Sequence, residues 1–391
     1  MMNIAVLTAT RAEYGLLKPL LTKINDDEDF HLNLIVTGAH LSPEFGLTYK
    51  EIEEDGFIID KKIEMLISAD SSASISKSMG LALMGFADYF ADNKLDLLIV
   101  LGDRYETLAV ALAAMNQKIP IAHLYGGETT EGAVDESIRH ALTKLSYFHF
   151  TSTEEYKKRV IQLGESPARV NVVGGLGVEN IKSQSLLPKG EFAKYVNIEE
   201  GKPYAMVTFH PVTLDDSENA GYQVDEMLKA INEFPNINFL ITKANADANG
   251  RIINQKIDEY VSLNEHARAF TSLGMKRYLS GLKYAAFVLG NSSSGILEAP
   301  SFGIPTVNIG DRQKGRIQSD SVINCEPLKV SIVAAIEKAM NVEYRKRAKQ
   351  TINPYGKGNA SEKIIKFLKS NKNFKNINLK KNFYDLGEVH E

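Results

Sequence analysis

Short runs of β-branched and aliphatic residues alternate with amphipathic helical stretches from residue 3 onward, and this alternation restricts the possible folds more than any other feature. Candidate strands are NIAVLT (3–8), HLNLIVT (31–37), DLLIVLG (96–102), IPIAHLY (119–125), YFHFTS (147–152) and RVNVVG (169–174). Helical patterns lie between and after them, near 13–25, 44–54, 71–92, 104–116, 134–145 and 153–163. Nearly every strand position is apolar, as it must be when helices cover both faces of a parallel sheet. The class is therefore α/β, with doubly wound parallel sheets.

The rhythm breaks once. SQSLLPKGEFAKYVNIEEGKPY (183–204) gains Pro, Gly and charge, and a second series then begins: YAMVTFH (204–210), INFLITK (237–243), RAFTS (268–272), AAFVLGN (285–291), PTVNIG (305–310) and SVINC (321–325). A chain of 391 residues exceeds what one hydrophobic core usually serves. Two Rossmann-like domains follow, at 1–183 and 184–357. Helical patterns at 328–341 and 358–370 end the ordered part, and the polar tail from 371 reads as frayed.

Several function classes are disfavoured by composition. A net charge of −4 and a pI near 6.1 leave no basic surface for a nucleic-acid backbone. The lone Cys325 excludes an internal disulfide and a multi-cysteine metal site. No stretch approaches the ~20 apolar residues that span a bilayer, and the start lacks a secretory pattern. A cytoplasmic protein with no nucleic-acid or membrane partner is expected.

The polar residues that stand out come just after strands, where doubly wound sheets build their sites. TATRAEYG (8–15) lacks the G-x-G-x-x-G spacing and places Arg11 at a helix start, either beside a phosphate or as a surface partner of Glu13. LGDRYET (101–107) puts Asp103 after a glycine, as a helix cap or an acid/base group. GGETTEGAVDESIRH (126–140) crowds Glu128, Glu131, Asp135, Glu136, Arg139 and His140 after a buried strand. There Asp135 with Arg139, and Glu136 with His140, share helix faces and would otherwise be two ordinary salt bridges. In the second half VTFHPVT (207–213) ends a strand on His210. LGNSSSGILEAP (289–300) offers Asn291, Ser292, Ser293, Ser294 and Gly295 as a phosphate cradle, and Glu298 as an acceptor for two neighbouring hydroxyls. IGDRQKGR (309–316) adds Arg312 within a cation-rich loop.

Together TATRAEYG, LGDRYET, GGETTEGAVDESIRHALTK, FHPVT, GNSSSGILEAP and GDRQKGR resemble the hydrolysing UDP-N-acetylglucosamine 2-epimerases of sialic acid biosynthesis, over residues 2–365 and in the same order. Relatives of that family act on UDP-N,N'-diacetylbacillosamine. The resemblance implies a GT-B architecture, with UDP in the interdomain cleft. It also implies an N-terminal acid/base domain, a UDP-binding C-terminal domain, and a last segment (358–391) whose helix packs back on the first domain. A UDP-sugar would be substrate and UDP a product, with no cofactor or metal, and the assembly would be a homodimer or a tetramer. Carried over by motif, Asp103 and Asp135 match carboxylates assigned to acid-base work, and His210 lies in the same site. Arg11, Arg139, Asn291, Ser292, Ser293, Ser294, Gly295, Glu298 and Arg312 match the UDP-binding set. Many members read HIEGGE where this chain reads HLYGGE, so Tyr125 stands where a catalytic glutamate is expected and Glu128 and Glu131 are the nearest substitutes. The alternatives are the same reaction on the diacetamido sugar, a non-hydrolysing epimerase, a UDP-sugar glycosyltransferase and a UDP-sugar-binding regulatory module.

Overall fold

The computed structural model describes residues 1–67, 71–130, 134–211, 217–244, 250–371 and 377–387, which fall into two compact units. The first comprises Met1–Glu128, Asp135–Asn180 and Gly356–Glu391, and the second Thr129–Val134 and Ile181–Tyr355.

The first unit holds β1 (Met2–Thr8), β2 (Phe30–Thr37), β3 (Lys61–Ile63), β4 (Leu97–Leu101), β5 (Ile121–Leu124), β6 (Phe148–Thr151) and β7 (Val170–Val172). They form one sheet in the order β3-β2-β1-β4-β5-β6-β7, every pairing parallel. Alternation along β1 sends Ile4 and Val6 to one core and Ala5 and Leu7 to the other. The first core is closed by Leu17, Leu20 and Leu21 of the helix Arg11–Asn25 together with Ala360, Ile364 and Leu368 of the helix Ala360–Ser370. Phe367 of that last helix meets Phe148 and Phe150 edge-on, each at 5.3 Å between ring centroids. The opposite core is closed by the helices Ser72–Asp92 and Tyr105–Asn116.

The second unit repeats the plan. Strands β8 (Tyr204–Thr208), β9 (Asn238–Thr242), β10 (Ala267–Phe270), β11 (Phe287–Gly290), β12 (Thr306–Ile309) and β13 (Val322–Cys325) are ordered β10-β9-β8-β11-β12-β13, again all parallel. In each sheet the strand order reverses once, between β1 and β4 and between β8 and β11. Crossover loops leave in opposite directions there, so the carboxyl ends of those strands are where a site can form.

Two features depart from the sequence reading. β3 was not foreseen, because the three residues KKI carry no periodicity to detect. The tail was expected to fray from 371, yet Lys381 donates to the carbonyls of Lys144 (2.8 Å) and Ser146 (2.7 Å) and to Glu165 Oε1 (2.9 Å), while the Tyr384 N–H donates to the Gly164 carbonyl (2.9 Å). Its anchor is the Glu165 carboxylate, wholly buried and also met by Lys144 (2.7 Å) and His149 Nε2 (3.2 Å). A buried charge demands such compensation, and a lysine 216 positions away supplies part of it.

Burial alone would raise the Glu165 pKa, but hydrogen bonds from His149, Lys144 and Lys381 outweigh it and bring the group from the usual 4.5 to about 2. The sign follows: this stabilisation is complete above pH 4.5 and lost as pH falls towards 2. Replacement Glu165→Gln should cost about 3 kcal/mol in urea unfolding near neutral pH. The difference from the parent chain should shrink below pH 4.5.

Candidate active site

In the first unit the site grows from one guanidinium. Arg139, on the helix Asp135–Leu145, is 1% exposed. Its Nη2 donates to the Asp103 carboxylate and its Nη1 to Glu136 and to the Glu128 carbonyl (2.9 Å). Glu136 also accepts from His140 Nε2 at 3.2 Å. Of the two helix pairs envisaged from spacing, Glu136 with His140 forms, while Arg139 enters a buried network that ties the β4 and β5 loops to this helix. The β5 loop fits through Gly127, at φ +80°, where a Cβ would run into the Tyr156 carbonyl.

Beneath Asp103, His123 on β5 donates from Nε2 to the Gly102 carbonyl at 2.7 Å and faces the Thr143 hydroxyl with Nδ1 at 3.3 Å. Burial brings its pKa from 6.5 to about 4, so the ring is neutral and this tautomer is fixed by its donor. Sequence reasoning passed over His123, which lies inside an apolar run. Glu128 is buried and accepts from the Ser152 hydroxyl at 2.8 Å. Asp135 opens its helix, half-buried. Glu131 lies outside the described residues.

Tyr125 has φ +71°, and its hydroxyl accepts from the N–H groups of Leu176 (2.7 Å) and Gly177 (3.4 Å) at the start of the helix Leu176–Ser183. Arg11 is half exposed, with Nε 3.0 Å from Glu51. Glu13 folds back to the N–H groups of Ala9 (2.8 Å) and Thr10 (3.1 Å), completing a capping box with Thr10. That helix start therefore carries its own acceptors, and a phosphate there would have to share Arg11 with Glu51. Burial raises the Glu13 pKa to about 7, against the pull of Arg104, whose guanidinium forks onto Glu106 at 3.1 and 2.9 Å.

In the second unit Asn291 is the organiser. Its Oδ1 accepts from the His210 N–H and its Nδ2 donates to the His210 carbonyl, both at 2.7 Å. Its own carbonyl accepts from Arg312 Nη1 (3.1 Å) and Gln313 Nε2 (2.8 Å). Gly290, at φ +129°, permits this approach, since a Cβ would strike the Thr208 carbonyl. The loops after β8, β11 and β12 are thereby locked together. Burial, with Arg312 nearby, drops the His210 pKa from 6.5 to about 3, so the imidazole is neutral. Ser292, Ser293 and Ser294 are half-buried in the turn and Gly295 is buried, and the Ser292 hydroxyl accepts from the Ser294 N–H at 3.4 Å. Burial raises Glu298 to about 7. Four buried atoms here, His210 Nδ1, Ser294 Oγ, Glu298 Oε2 and Gln313 Oε1, have no hydrogen-bond partner among the described residues. Groups of that kind are rare unless a ligand or water meets them. Neither Gln313 nor Asn291's holding role was legible from spacing. Among the described residues no group of three or more His, Cys, Asp and Glu could hold a metal ion.

Two Rossmann-like parallel sheets with polar clusters at their switch points place the chain in the GT-B fold class. The family model described as UDP-N-acetylglucosamine 2-epimerase matches residues 22–369, and the chain belongs to that family. It is 45% identical over 385 residues to the Campylobacter jejuni GDP/UDP-N,N'-diacetylbacillosamine 2-epimerase (hydrolyzing), covering 98% of this chain and 99% of that one. It is 41% identical over 390 residues to the polysialic acid biosynthesis protein P7 of Escherichia coli, covering 99% and 98%. Among solved structures it is similar to UDP-GlcNAc 2-epimerase from Neisseria meningitidis bound to UDP-GlcNAc, with TM-score 0.82, 20% identity and coverage of 95% and 100%.

Leucine at position 291 would remove both bonds to the His210 backbone and leave its buried N–H and carbonyl unmet, at about 1–3 kcal/mol for each group. Asn291→Leu should accordingly lower the thermal midpoint and weaken UDP binding at least tenfold by calorimetry. Unchanged UDP affinity would separate the loop lock from the nucleotide site.

Proposed function

We propose that the chain is a hydrolysing 2-epimerase that converts UDP-N-acetylglucosamine to N-acetylmannosamine and UDP. In this reading the second unit binds the nucleotide, with Arg312 and the turn of Ser292, Ser293, Ser294 and Gly295 at the diphosphate and Glu298 at the ribose. Arg11 adds a cation beside the leaving group, and Arg139, expected in the same set, is buried and holds Asp103. The first unit supplies the acid-base groups.

A base takes the C2 proton, the C1–oxygen bond breaks, and UDP departs with that electron pair, leaving a 2-acetamidoglycal. Water then adds hydroxyl at C1 and a proton at C2 from the other face, so C2 is inverted and the free sugar leaves. The C2 hydrogen is not acidic by itself. Its removal needs a carboxylate held within ~3 Å in a water-poor site, while fixed donors meet the charge that grows on the diphosphate.

The observation that carries the reading is the contact of buried Arg139 with Asp103, because a charge-assisted bond holds that carboxylate still beside a strand end. Asp103 and Asp135 take the acid-base roles, with Glu128 and Glu131 as helpers. His210, neutral as it stands, suits a hydrogen-bonding role beside the departing phosphate. The reading carries with it a homodimer, as the family resemblance implies, and a cytoplasmic location, as expected from the sequence patterns. A second substrate, UDP-N,N'-diacetylbacillosamine, is favoured by the name of the 45% identical relative.

Incubation with each UDP-sugar in D₂O, followed by NMR, should show UDP and a free 2-epimer deuterated at C2, and the faster substrate decides between the sugars. A UDP-linked epimer with no free UDP would overturn hydrolysis. Asp103→Asn and Asp135→Asn should each slow turnover by roughly 10²-fold or more while UDP still binds. Arg312→Ala should weaken UDP about tenfold by calorimetry.

A further inference from the structure

Gln313 is 2% exposed, in the loop after β12. Its Nε2 donates to the Asn291 carbonyl at 2.8 Å. A carbonyl only accepts, so the amide orientation is settled by this contact and Oε1 must face the other way. That oxygen is buried and has no partner among the described residues. A well-packed amide with one end fixed and its acceptor unmet is a recognition group lacking its donor.

The donor has to come from a particular part of the substrate. This inference rests on the proposed function, in which Arg312 meets the diphosphate. Arg312 and Gln313 hold the same carbonyl from adjacent positions. Phosphate oxygens at neutral pH only accept, so the diphosphate cannot satisfy Oε1. The ribose hydroxyls have their own acceptor in Glu298, whose Oε2 is likewise buried and unmet among the described residues. The uracil N3–H is a donor as well, but it is separated from the diphosphate by the ribose, whereas the hexose, with its hydroxyls and acetamido N–H, is joined to the diphosphate directly.

We propose that Gln313 Oε1 accepts a hydrogen bond from a hydroxyl or amide N–H of the hexose, which makes Gln313 a specificity-determining residue for the sugar rather than for UDP. The same oxygen makes the loop after β12 a two-part reader: the cation at 312 takes the phosphate and the amide at 313 takes the sugar.

The test compares the KM for the UDP-sugar with the inhibition constant of UDP in the full chain. In Gln313→Met the ratio of KM to that constant should rise about tenfold, the factor for one lost hydrogen bond of about 1.4 kcal/mol. UDP inhibition itself should stay within about twofold, since Arg312 still holds the Asn291 carbonyl. Gln313→Glu keeps an acceptor oxygen but adds charge near the diphosphate. Both constants should weaken there while their ratio stays near that of the parent. An unchanged ratio in Gln313→Met, or equal weakening of both constants, overturns the proposal and reduces Gln313 to a loop support. If the parent chain neither turns over a UDP-sugar nor is inhibited by UDP, it is the proposed function that fails.

Discussion

A guanidinium taken out of water has to be met by acceptors from several directions, and Arg139 imposes that condition on the first unit. Its partners come from the turn after β4, the loop after β5 and its own helix. None of the three could shift alone without leaving a buried charge short of acceptors, a loss of about 3–5 kcal/mol when a partner is removed. The geometry of Asp103 is therefore decided less by its own loop than by a residue 36 positions later. His123 adds a second tie beneath it, through the Gly102 carbonyl.

The second unit ties its loops chiefly through one amide and the backbone. Asn291 uses both ends of its amide on the His210 backbone, and its carbonyl is held by Arg312 and Gln313. Three strand ends are tied into one rim through amide and backbone groups. The difference suits the chemistry proposed for each half. A carboxylate that handles protons benefits from a charged neighbour, whereas a nucleotide site needs its free donors and cations facing the ligand and its framework satisfied elsewhere.

Much of this was legible in the sequence because strand and helix periodicity is local. The alternation located every strand except β3, and the glycine after β4 together with the glycine pair after β5 marked where loops turn at the sheet edge. What stayed hidden was long-range. Arg139 with Asp135 looked like a helix pair, while its contact with Asp103 depends on tertiary packing that spacing cannot encode. The Glu165 cluster was invisible for the same reason, since its lysines at 144 and 381 meet only in the folded chain. Gln313 drew no attention because glutamine is unremarkable in a polar loop until burial leaves one end of it without a partner.

Tyr125 shows how a departure from a family motif can be read physically. A glutamate at that strand end would present an acceptor to whatever lies ahead of it. Tyrosine presents one too, but on a longer arm, and its hydroxyl accepts the first two N–H groups of the helix Leu176–Ser183. Helix starts attract acceptors because their N–H groups lack partners within the helix. A hydroxyl held that way is engaged in capping, and the positive φ of Tyr125 is sustained by the packing around it. The carboxylates proposed for proton transfer lie near Arg139. Among the described residues these are Asp103, linked to it directly, Asp135, which opens the same helix, and Glu128, whose carbonyl it holds and whose carboxylate accepts from Ser152.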